Sequence, residues 1–157
     1  MSEDGLRPWS DDELAALAER IWAWMQEQAR DNPAVAHVEQ GDGDEHRWFV
    51  RLHGEEKSVF SVWFWLRQRT LHVETYVMPA PLERAGELYE MLLRRNTRLC
   101  GLAFAIGDED AVYLVGQLPN EAVCPAELDR LLGSAYEYTE AVFRPAMRLA
   151  FGSRFTG

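Results

Sequence analysis

The chain is poor in lysine, poor in cysteine and without a long apolar run. Its single lysine, Lys57, leaves nearly all positive charge on arginine, whose planar guanidinium suits paired and stacked contacts. Two cysteines, Cys100 and Cys124, cannot build a disulfide framework. Their separation matches neither a metal-ligand pair nor a Cys-x-x-Cys redox motif, so they read as ordinary thiols. The apolar runs are strand-sized, too short to span a bilayer. The N-terminus is acidic and polar, with no apolar signal region. A cytoplasmic protein with no membrane partner is the expectation. Asp plus Glu number 26 against 16 for Lys plus Arg, a formal charge of −10. That excess disfavours nucleic acid as a partner.

Signatures of chemistry are also lacking. There is no Gly-rich phosphate loop with its lysine, no Gly-x-Gly-x-x-Gly opening a helix, and no His-Glu-x-x-His. His37, Glu39, His53, His72 and Glu74 would suit zinc only if their strands brought them together. None stands at paired-ligand spacing, and they read, with His46, as surface or edge residues. Asp108-Glu109-Asp110 is far shorter than a calcium loop and reads as a hairpin turn. Ser58 and Ser61 lack a His-acid partner pattern. Ser134 follows Gly133 inside a helical pattern rather than a nucleophile elbow. No catalytic residue, metal site or cofactor is assigned.

What is present is one domain's worth of chain, 157 residues, organised around Val59–Leu66. Phe60, Val62, Phe64 and Leu66 occupy one parity of this strand; Val59, Ser61, Trp63 and Trp65 occupy the other. A strand with one wet face should alternate apolar and polar residues. This one does not, so both faces are expected to be at least partly covered. Before it, Ser10 and Glu13 form a capping box, with Trp9 and Leu14 at staple spacing. Leu14, Leu17, Ala18, Ile21, Trp22 and Met25 then repeat at helical spacing up to a stop at Asn32-Pro33. Trp22 and Trp24 cannot share one face's centre, so one is core and the other marginal.

Strands are expected at 35–40, 47–53 and 71–78, with turns at Gly41-Asp42-Gly43-Asp44, Gly54–Lys57 and Gln68-Arg69. Short connections predict antiparallel neighbours. Pro81 suits the first turn of a second helix whose face carries Leu82, Ala85, Leu88, Tyr89 and Leu92 and whose cap is Gly101. A hairpin follows, 102–106 and 111–118, closed by Pro119 and Asn120. A third helix starts near Pro125, and Pro145 should end or kink it. Beyond it, Met147, Leu149, Phe151 and Phe155 make the tail too apolar to lie wholly free. The order is α, three or four strands, α, two strands, α: an α+β fold with an antiparallel sheet and three main helices. Residues 10–150 form a single domain, 1–9 a flexible lead and 151–157 a tail.

Trp48-Phe49-Val50-Arg51, the run from Arg69 to Pro79 and the run from Leu88 to Asn96, in this helix-led order, resemble the bacterial YbjN-domain proteins, in an actinobacterial form. The resemblance implies a fold similar to that of type III secretion chaperones. It also implies homodimers that bind extended segments of client proteins, and it brings no catalytic signature. The expected function is therefore a non-catalytic, chaperone-like regulatory domain, with a client protein or peptide as partner. A small-molecule enzyme without a familiar motif and a structural subunit of a larger complex are the alternatives. Trp63, Trp65 and Tyr76 are the candidate partner-binding aromatics, because aromatic side chains anchor interfaces. The rival is that helices bury the two tryptophans within the monomer. Arg94, Arg95 and Arg98 are candidates for binding an acidic peptide or phosphate, or simply serve solvation and complement a helix C-terminus.

Overall fold

The computed structural model describes residues 3–42 and 45–154. Helix α1 spans Asp11–Asp31, and strands β1 to β4 span Val35–Gln40, Arg47–His53, Val59–Leu66 and Thr70–Met78. Helix α2 covers Ala85–Asn96, β5 Ala103–Ile106, β6 Val112–Pro119 and α3 Pro125–Phe151. The strands form one antiparallel sheet in the order β1-β2-β3-β4-β6-β5. Four strands, not three, precede α2. Residues 43 and 44 of the first turn, and Phe155 with the end of the tail, lie outside the described residues.

The capping box forms as its residues require. Ser10 Oγ accepts from the Glu13 amide at 3.2 Å, and Glu13 Oε1 accepts from the Ser10 amide at 3.1 Å. On α1 it is Trp24, not Trp22, that enters the core; Trp24 is buried and meets the Phe64 ring edge-on at 5.8 Å. Its Nε1 donates to Asp129 on α3 at 2.7 Å, which removes the cost of burying the indole N–H. Trp22 sits half-buried beside the core.

All three helices lie on one side of the sheet. Their buried residues join Trp48, Val50 and Leu52 of β2, Phe60, Val62, Phe64 and Leu66 of β3, and Leu71, Val73, Val77 and Met78 of β4 in a single core. Each such side chain contributes about 1.5–3 kcal/mol on leaving water. The second parity of β3 is only partly covered, and by no helix. Val59 and Trp63 are exposed, while Ser61 and Trp65 are half-buried by neighbours within the sheet. The helices all pack on the first face, and among the described residues no helix covers the second.

Three helix boundaries differ from expectation. Pro81 and Leu82 precede α2 rather than opening it. The Leu82 and Glu83 amides donate to the Ala150 carbonyl, and Arg84 then takes φ 54° before the helix can begin. Leu82 is consequently exposed. The cap of α2 is Thr97; Gly101, at φ 80°, serves the later turn into β5. Helix α3 passes through Pro145 and continues to Phe151. Proline removes one amide from the ladder, but burial of Ala146 and Ala150 and the tether from residues 82 and 83 hold the last turns.

The β2–β3 turn is tied to α3 by one carboxylate. Glu140 accepts from the amides of Glu55, Glu56 and Lys57 at 2.5, 2.7 and 3.2 Å. A Cβ at Gly54 would overlap both Glu140 and the Lys57 carbonyl, so glycine is required there by close approach. Replacing Glu140 by Ala is expected to lower stability by about 2 kcal/mol, since charge-assisted bonds to backbone amides are worth about 1.5–3 kcal/mol. A shift of the urea midpoint at unchanged slope is the measurement that checks it.

Candidate functional site: the open face of the sheet

The uncovered face is built from alternate residues of the six strands. Its middle row runs Phe49, Trp63, Glu74 and Val115 across β2, β3, β4 and β6. The row on one side is Arg47, Trp65, His72 and Gln117. On the other side Arg51 stands opposite Ser61, and Tyr76 opposite Tyr113. Period-two alternation explains the set: Arg47, Phe49 and Arg51 point away from the core because Trp48, Val50 and Leu52 point into it.

The aromatics rest on each other and on arginine. Phe49 and Trp63 have ring centroids 4.9 Å apart, and Tyr76 meets Tyr113 edge-on at 5.6 Å. The guanidinium carbons of Arg47 and Arg67 lie 4.1 and 3.9 Å from the Trp65 ring centroid. Each contact of this kind is worth about 0.5–1 kcal/mol at an exposed site. Arg51 approaches the Phe49 ring at 5.4 Å. Trp63 remains 48% exposed and Tyr76 41%. Burial of both tryptophans under helices, the rival reading, does not occur. A shallow depression of 140 Å³ lies between Trp63, Trp65, Arg67, His72 and Val115.

The ends of the face are fixed by polar contacts. At one end Lys57 Nζ donates to the carbonyls of Tyr76 and Val77 at 2.7 and 2.9 Å and stands 5.0 Å from the Tyr76 ring. Burial pushes its pKa down to about 8. At the other end the β3–β4 turn carries Arg67. Asn120, 1% exposed, donates from Nδ2 to the carbonyls of Arg67 and Gln68 at 2.9 and 3.0 Å, and its amide donates to the Arg69 carbonyl. Asn120 is therefore a positioning residue for Arg67.

The lead, read from the sequence as flexible over residues 1–9, reaches the same turn. Trp9 donates its amide to the Gln68 carbonyl at 2.8 Å, Arg69 Nε donates to the Leu6 carbonyl at 3.0 Å, and Thr70 Oγ1 donates to Glu3 Oε1. Glu3 Oε1 also lies 3.5 Å from His72 Nε2.

Trp63, Trp65 and Tyr76 thus share the open face. Arg94 and Arg95 lie on α2 and Arg98 in the turn after it, on the helical side of the molecule. Arg94 pairs with Glu90 at 3.5 Å, one helical turn back. The histidines considered for zinc fall on separate rows, His37 opposite Arg51, His53 opposite Val59 and His72 opposite Trp65, and Glu39 and Glu74 share a row but are separated by Phe49 and Trp63. Among the described residues no group of three or more His, Cys, Asp or Glu side chains is placed to hold a metal. A larger recess of 440 Å³ opens between α1 and α3, but its Asp129 carboxylate is already engaged by Trp24 and Gln28. Arg47, Phe49 and Arg51 were legible from strand parity; Arg67, Asn120 and Glu3 meet only in three dimensions.

Residues 14–146 match the YbjN family, described as "Putative bacterial sensory transduction regulator". The chain belongs to that family. It is 36% identical over 104 residues to an uncharacterized protein of Mycobacterium tuberculosis, covering 66% of the chain and 57% of that protein. With an uncharacterized protein of Mycobacterium leprae it shares 32% identity over 107 residues, 68% of the chain and 58% of the relative. The chain thus spans less than two thirds of these relatives' length.

Its fold is that of the type III secretion chaperones. A chain of the ExsC–ExsE complex superposes with a TM-score of 0.56 at 17% identity, over 82% of the chain and 94% of the other. One from the heterodimeric ExoU–SpcU complex of the Pseudomonas aeruginosa type III secretion system gives 0.52 at 12% identity, over 79% and 94%. The Yersinia pestis secretion chaperone SycH structure, in complex with a fragment of YscM2, gives 0.50 at 16%, over 76% and 97%. Among the described residues no helix is long and apolar enough to cross a membrane.

His72 reports on the arrangement at the Arg67 end. Burial and the Arg67 charge hold its pKa below 6.5, while Glu3 pulls it upward. Arg67→Gln is expected to raise the His72 pKa and Glu3→Gln to lower it, read by NMR titration of the imidazole resonance. Because the folded-state pKa lies below the unfolded value, native His72 resists protonation. The stability this contributes is present above 6.5 and falls as pH drops through the window beneath it.

Proposed function

We propose that the protein is a non-catalytic, chaperone-like interaction domain that holds an extended segment of a client protein against the open aromatic face. The observation that carries this reading is the exposure of Trp63 beside Phe49, Trp65 and Tyr76 on a sheet face that three helices leave uncovered. Single exposed apolar residues are ordinary, but contiguous aromatic surface marks interaction sites. The structurally similar ExsC–ExsE, ExoU–SpcU and SycH–YscM2 complexes each pair two different proteins, which accords with the reading. The partner is protein rather than nucleic acid, in keeping with a formal charge of −10, and the location that goes with it is cytoplasmic. A regulatory role follows if holding the client withholds it from another partner.

Crosslinked pull-down with the wild type, Trp63→Ala and Trp65→Ala tests this. A reproducible client should be lost from both variants, at about 2 kcal/mol per anchor, or roughly thirtyfold in affinity. The exposed Trp63→Ala should retain its unfolding transition within about 0.5 kcal/mol. Equal enrichment by wild type and both variants would reject the aromatic face as the site.

A second reading, homodimerisation, is favoured by a different surface. Beside the edge strand β5, whose Phe104 amide and carbonyl are taken by the Asn96 side chain, Leu93 and Ile106 are 65% and 54% exposed, and with Tyr89 and Phe104 they flank an apolar groove of 320 Å³. An exposed apolar groove beside an edge strand invites burial against a second copy. Sedimentation velocity should show a dimer that Leu93→Asp or Ile106→Asp converts to monomer, with client capture by the aromatic face retained. A wild type that is monomeric throughout the micromolar range would dismiss the dimer.

A further inference from the structure

One position on the open face is not open. Before the register shift at Tyr76/Met78, the even-numbered residues of β4 point to this side, and His72, Glu74 and Tyr76 are half-buried or exposed. Thr70 has the same parity yet is 2% exposed. The N-terminal segment passes the β3–β4 turn there and places a carboxylate on Thr70. Glu3 Oε1 accepts from Thr70 Oγ1 and lies 3.5 Å from His72 Nε2. Arg67 lines the same depression as His72, and Arg69 anchors the segment through the Leu6 carbonyl.

The charges around this point are asymmetric. Arg47 and Arg67 flank Trp65 at the end that Glu3 occupies. Glu74, on the far side of the depression, is opposite Trp63. An incoming carboxylate is thus favoured at the Arg67 end and disfavoured at the Glu74 end. In a molecule of formal charge −10, a local site that attracts an acid has a specific arrangement behind it.

We propose that Arg67, Thr70 and His72 form a carboxylate-binding subsite, filled in the free protein by Glu3 of the same chain. An acidic residue of a partner's extended segment displaces Glu3 there. The second half rests on the client-binding reading above; the first does not. The segment the face selects carries an acidic residue at the Arg67 end, followed by an apolar side chain over the depression between Trp63 and Trp65. The N-terminal segment is then a competitor in cis, and its release accompanies binding.

The test uses the full-length chain and a fluorescent peptide of its own residues 3–9, with the same peptide carrying Gln for Glu at the first position as control. The acidic peptide should bind full-length Glu3→Gln about five- to tenfold more tightly than wild type, because the internal competitor is weakened. Adding Arg67→Gln to that variant should abolish the gain, and the Gln peptide should show none. An unchanged unfolding transition for Glu3→Gln keeps the comparison on binding. Equal affinity for wild type and Glu3→Gln, or no binding to either at millimolar peptide, overturns the subsite. If the Gln peptide binds Glu3→Gln as well as the acidic one does, and Trp63→Ala weakens both, the carboxylate subsite is overturned while the aromatic face stands as a docking surface. Loss of client capture in the tryptophan variants is read separately, so failure of the two proposals is distinguishable.

Discussion

Packing of all three helices onto one face of a six-stranded sheet is the constraint on which the rest depends. Phe64 of β3, opposed by Trp24 of α1, sits near the middle of that contact, and Phe60 stacks near Tyr136 of α3. A sheet has two faces, and a two-layer α+β fold with helices segregated to one side covers only one. The second face must be polar, self-shielding or reserved for something else. Here it is partly self-shielding. Phe49 lies against Trp63, and arginines lie over Trp65, so the rings lose some contact with water without a third layer.

The β3–β4 turn connects this face to the remainder of the chain. Asn120 fixes its carbonyls from beneath, and the Trp9 amide and the Leu6 carbonyl meet it from the N-terminal side. A buried asparagine making two donor bonds to one turn permits little freedom in where Arg67 begins. The same turn therefore sets the charge at one end of the aromatic face and receives the N-terminal segment. Lys57 performs a comparable role at the opposite end, where its ammonium closes two β4 carbonyls.

Most of the element order was legible because it is written in local patterns. The Ser10–Glu13 box, the alternation through β2 and the Gly107–Asp110 turn each need only a few adjacent residues. The misjudged boundaries have a common cause: tertiary contacts overrode local signals. Pro81 is a good first-turn residue, but the Ala150 carbonyl claims the amides that follow it. Pro145 is a good helix breaker, but the buried Ala146 and Ala150 keep the helix going. Helical spacing put Trp22 rather than Trp24 in the stripe of α1; in the fold it is Trp24 that is inner, its indole N–H bound by the Asp129 carboxylate more than a hundred residues away.

By itself the sequence determined the α+β class, the antiparallel hairpins, most of the apolar stripe of each helix and the two parities of β3, because these follow from side-chain period and turn chemistry. Only the tertiary structure decided that the Trp63 and Trp65 parity is the outer one. An almost wholly apolar strand carries no polar residue to mark its wet face, so the choice falls to where the helices pack. It also brought Glu3, Arg67, Thr70 and His72 together, since no local pattern relates an N-terminal carboxylate to a turn more than sixty residues later.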